Sequence, residues 1–190
     1  MPRLLVLLCT IALCAACSEP PQKEIDRAQG AIDAARAAGA ERYATAEFTA
    51  ATTALQQAHD AVTQRDYRLA LSRALDASER AQQSARQAAD GKARARGESE
   101  ARVAATATAI QQLRSALKAA EAARAGGAAV PASRQVAASS EAALQKARAL
   151  LKREQYLDAI EALNGVSERI QAQMQALTEA HKARAIRKRD

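Results

Sequence analysis

Apolar residues return at intervals of three and four along most of the chain. Ile25, Ala28, Ile32 and Ala35 fall on one helical stripe. Phe48, Ala51, Leu55, Ala58 and Val62 make a second, and Tyr67, Ala70, Ala74, Ala77 and Ala81 a third. A fourth, Val103, Ile110, Leu113 and Leu117, follows after a break. Each stripe is narrow, like a coiled-coil seam. The spacing predicts six helices, at about 21–38, 46–63, 66–89, 103–125, 133–152 and 154–186. Gly39 to Ala44 reads as a turn, and Thr45 is placed to cap the second helix, with Glu47 near its positive end. Only Gln64-Arg65-Asp66 parts the second helix from the third, which predicts a tight antiparallel hairpin. Pro131 and Ser133 mark the start of the fifth helix. Asn164-Gly165 is expected to kink the sixth.

The pattern occurs twice. Asp33-Ala34-Ala35-Arg36-Ala37-Ala38-Gly39-Ala40 aligns with Glu121-Ala122-Ala123-Arg124-Ala125-Gly126-Gly127-Ala128 at an offset of 88. After one inserted residue the offset becomes 89, and Leu55-Gln56 meets Leu144-Gln145, Tyr67 meets Tyr156, and Ser78-Glu79-Arg80 meets Ser167-Glu168-Arg169. The shared order of a Gly turn, a helix, a short polar turn and a helix-opening Tyr argues for duplication more strongly than the alanine matches do. The expected fold is therefore all-α: an elongated antiparallel helical bundle of two duplicated three-helix units, 24–89 and 103–180.

Residues 90–102 join the units and read as a hinge or as helix continuation. Two glycines, alternating charges and no apolar seam favour a linker. Against this, the 36 residues from Tyr67 to Val103 make ten whole turns at 3.6 residues each, so one long central helix would carry both seams on a shared face. Gly91 and Gly97 would cost such a helix roughly 1 kcal/mol each.

Composition agrees with closely packed helices. The 190 residues include 53 Ala, four aromatics and no Trp, so neither a sheet nor a bulky core is expected. The net charge of +7 is concentrated at one end. Arg3 lies in the N-terminal leader. The last nine residues hold Lys182, Arg184, Arg187, Lys188 and Arg189 against Asp190, a balance of +4, which leaves +2 on residues 17–181. A nearly neutral body argues against nucleic acid as a partner. Residues 181–190 form a basic tail, whose cations suit either a solvated helix C-terminus or an anionic surface.

Met1-Pro2-Arg3 and the ten apolar residues Leu4–Leu13 read as a signal peptide over 1–16, too short for a stable membrane span. Cys14-Ala15-Ala16-Cys17-Ser18 follows. Small residues before a cysteine resemble the lipobox of bacterial lipoproteins, although Cys14 stands where Leu is usual. That resemblance implies diacylation of Cys17, an N-terminal linker over 17–23, and, from Ser18, the periplasmic face of the outer membrane. The alternatives are ordinary cleavage after Ala16, leaving a free Cys17 thiol, and a retained leader. All three cysteines lie within the first seventeen residues, so no disulfide can form inside the mature chain.

Residues 24–89 also resemble a family of short Ala-rich helical domains of unknown function in Gram-negative envelope lipoproteins. The resemblance rests on Ala34-Ala35-Arg36-Ala37-Ala38-Gly39-Ala40, Tyr43-Ala44, Leu55 to Ala58 and Asp66-Tyr67-Arg68-Leu69-Ala70. Thr45 departs from the Pro often found after the Tyr-Ala pair. The second unit has Pro131 near the equivalent place but lacks the Tyr.

Catalytic chemistry is sparse. His59 and His181 are isolated, and no spacing resembles a metal site. Ser115-Ala116-Leu117-Lys118 fits Ser-x-x-Lys but lacks companion motifs, and Leu117 belongs to a seam. No cofactor, metal or enzymatic activity is expected. The function that fits is a structural spacer or adaptor, bound to the membrane through acyl chains, with peptidoglycan or another envelope protein as candidate partners. The alternatives are a soluble periplasmic protein-binding module or chaperone, and an anionic-polymer binder acting through the tail.

Overall fold

The computed structural model describes residues 19–124 and 127–187, and these are helical with short turns and no strand. The helices are α1 (Gln22–Ala37), α2 (Ala40–Tyr43), α3 (Thr45–Thr63), α4 (Tyr67–Ala122), α5 (Ala129–Lys152), α6 (Tyr156–Ala162) and α7 (Val166–Arg187). The chain divides into two compact units between Lys92 and Ala93, and α4 runs through the division. The protein is all-α, built from two helical units that share one long helix. At 1.5 Å per residue the 56 residues of α4 span about 84 Å. Helix continuation is thus the outcome for 90–102, and the hinge is not formed.

In the first unit α1, α3 and the start of α4 enclose Ile25, Ala28, Ile32, Ala35, Phe48, Ala51, Leu55, Ala58, Ala74, Ala77, Ala81 and Ala88. Most of these are alanines with no exposed surface, so the helices approach closely and the few large side chains fill what remains. In the second unit Ile110, Leu113, Ala120, Ala137, Leu144, Val166, Ile170 and Leu177 form the main core. Ala147, Ala159 and Leu163 form a satellite near the hairpin. Bulk has moved between helices. Val166, Ile170 and Leu177 stand where the first unit has Ala77, Ala81 and Ala88, whereas Ala137 stands opposite Phe48.

The two bonds that close the hairpin turn recur in both units. Asp66 N–H donates to Ala61 O at 2.9 Å and Arg65 N–H to Val62 O at 2.9 Å. Gln155 N–H donates to Leu150 O at 3.0 Å and Glu154 N–H to Leu151 O at 3.0 Å. Both are Schellman closures, with Arg65 at φ 59° and Glu154 at φ 58° in the left-handed region. Gly39 at φ 87° and Gly127 at φ 42°, aligned in the sequence repeat, both have positive φ.

Four local expectations are corrected. The turn at 39–44 contains the short helix α2. Thr45 is the first residue of α3 rather than its cap, and its hydroxyl donates back to Glu41 O at 2.8 Å. α5 begins at Ala129, so Pro131 sits inside its first turn, where a missing N–H costs nothing. The sixth predicted helix is two, because the turn 163–165, with Gly165 at φ 68°, breaks it after Ala162 instead of kinking it.

Candidate anchoring and binding sites

Of the residues assigned a binding role from sequence, Cys17, Lys188 and Arg189 lie outside the described residues. Arg187 ends α7. Lys182 and Arg184 are exposed on the last turns of that helix, so the basic tail starts as a continuation of α7. Lys182 Nζ bonds Glu179 Oε1 at 2.8 Å, one turn back, with both groups in solvent. Such a pair contributes under about 1 kcal/mol and leaves the ammonium open to exchange partners. Exposed Ile186 follows Lys182 by one turn.

Beside the tail lies a shallow groove of about 290 Å³ between α4 and α7. Ala116, Ala119, Ala120 and Leu177 wall it, with His181 and Lys182 at the rim. No sequence pattern pointed to it, because it joins helix segments some sixty residues apart.

A second recess, of about 330 Å³, lies on the first unit and is lined mostly by charged side chains. Arg80 bridges Asp76 at 2.9 Å and Glu47 at 3.2 Å, tying α3 to α4. Asp76 first, then Glu47, raises the guanidinium pKa above its ordinary value. Arg36, clamped by Glu41 and Asp33, lies over the Phe48 ring at 5.4 Å. Both arrangements fasten one helix to the next.

His59 and His181 are exposed. Ser115 and Lys118 both face solvent on α4, while Leu117 between them packs against the core. Among the described residues, no group of three or more His, Cys, Asp and Glu is placed to hold a metal ion. No described helix is long and apolar enough to cross a membrane. The chain matches no protein-family model, no curated protein and no solved structure.

Proposed function

We propose that the chain is a non-enzymatic cell-envelope lipoprotein, held by acyl chains on Cys17 at the periplasmic face of the outer membrane, where it acts as a structural spacer or adaptor. The observation that carries this reading is Ala15-Ala16-Cys17 five residues ahead of Gln22, the first residue of a small-residue helical body. Two acyl chains suffice for stable anchoring. The 56-residue helix shared by both units suits a spacer. Labelled palmitate should enter the wild type and not Cys17→Ala; efficient export of an unlabelled wild type would remove the anchor. In-cell crosslinking with mass spectrometry then identifies the partner.

A second reading is favoured by the exposure of Lys182 and Arg184 on α7. The basic tail docks on an anionic envelope surface, such as peptidoglycan carboxylates or lipid phosphates.

A further inference from the structure

Three of the four large apolar side chains left exposed among the described residues lie in the first three turns of α4: Leu69 at 41%, Leu71 at 38% and Leu75 at 52%. They sit just beyond the α3–α4 hairpin. Because α1 runs antiparallel to α3, the start of α1 lies at this same end of the first unit. Its Ile25 shares a core with Leu55, Ala58 and Ala74. Cys17 precedes Gln22 by five residues, which reach at most about 18 Å when extended.

The second unit supplies an internal comparison. It repeats the two bonds that close the hairpin, yet the counterparts of Leu69 and Leu75 at the offset of 89 are Asp158 and Asn164. The counterpart of Leu71 is Ile160, which is half-buried. Exposed leucines are therefore not needed to close this hairpin. At the left-handed position of the turn exposed Arg65 stands where the second unit has Glu154, and each turn holds one cation and one anion. Exposed Arg68 lies one turn before Leu71 and two before Leu75 on the same stripe of α4. Asp66 is occupied as the cap of that helix, its carboxylate accepting Leu69 N–H at 3.0 Å.

We propose that this hairpin end is a membrane-contact surface: Leu71 and Leu75 enter the headgroup region of the bilayer that holds Cys17, with Leu69 at its edge and Arg65 and Arg68 against lipid phosphates. The inference rests on Cys17 as the anchor. The tether keeps this end near the bilayer, so even weak insertion is intramolecular and is favoured by the high effective concentration. Apolar side chains flanked by cations are what an anionic interface accepts.

The chain contains no Trp, so single substitutions act as depth probes. Leu71→Trp and Leu75→Trp are compared with Gln82→Trp and Asn164→Trp. Each mature protein is coupled through its Cys17 thiol to a maleimide lipid in phosphatidylethanolamine–phosphatidylglycerol vesicles. This coupling places the anchor at Cys17 whether or not the cell acylates it, so a failed palmitate label and a failed docking are separate results. Brominated lipids should quench the indole of the Leu71→Trp and Leu75→Trp proteins several-fold more than that of the Gln82→Trp and Asn164→Trp proteins, and aqueous iodide should quench it less. Equal quenching at all four positions overturns the proposal. Leu75 is half exposed, so its substitution tests the surface even if the Leu71→Trp protein loses its helical circular dichroism.

Discussion

Gly91 on α4 lies directly against Tyr43: a Cβ at position 91 would stand 2.9 Å from the Tyr43 carbonyl oxygen and 3.1 Å from its Cβ. The long helix and the end of α2 meet there backbone to backbone. Gly97, two turns along the same helix, has nothing within 4 Å of the same added atom. The two glycines therefore respond oppositely to one substitution. Gly97→Ala gains about 1 kcal/mol from helix propensity. Gly91→Ala gains the same propensity but must displace backbone, and overpacking of about 1–3 kcal/mol outweighs it. Urea unfolding should show Gly97→Ala above the wild type and Gly91→Ala below it. Equal stabilisation by both changes would mean that the contact with Tyr43 is not formed.

The seam leucines carry an unusual share of each core. Leu55 and Leu144 hold equivalent positions, are 6% and 5% exposed, and stand among alanines and serines. Truncating either to Ala is expected to cost about 2–5 kcal/mol. Thermal melts of the two variants that overlay the wild type would contradict this.

Ser140 is fully buried, and its hydroxyl has no hydrogen-bond partner. Its counterpart in the first unit is Ala51, also fully buried. Ser140→Ala should thus stabilise the protein by about 1 kcal/mol, because a desolvated hydroxyl is removed without loss of a bond. A lower urea midpoint in the variant would show that the hydroxyl is satisfied in solution.

The last turns of α7 are expected to be dispensable for folding. Leu177 is the last buried residue among the described residues, and positions 181–186 are exposed. A chain ending at Ala180 should keep its helical circular dichroism and lose salt-sensitive co-sedimentation with peptidoglycan or anionic vesicles. Screening to a Debye length of about 3 Å at 1 M salt should abolish the same binding in the full chain. Equal sedimentation of both forms at low salt removes the tail from the mechanism, and lost helicity shows that these turns are structural.

The amino-acid sequence by itself determined the all-α class and the main helical stripes. Ile25, Ala28, Ile32 and Ala35 are buried together because a 3.6-residue period permits nothing else once one stripe is apolar. The three polar residues 64–66 leave room only for a hairpin, and their recurrence at 153–155 gives the same turn although Arg65 and Glu154 carry no left-handed preference. That positive φ was not legible: closure of two packed helices imposes it, not the residue. Continuity of α4 through 90–102 was likewise settled by packing. Gly91 fits because Tyr43 needs the space, and Ala95 and Ser99 are buried along a stretch whose hydropathy shows no seam. Small polar residues can occupy such positions because an intrahelical carbonyl accepts their hydroxyl, as Arg96 O does for Ser99 at 2.8 Å. The groove beside His181 and the leucines of the α3–α4 hairpin belong to the tertiary structure alone. A sequence stripe records which residues are apolar, whereas only the packed neighbours decide which of them remain uncovered.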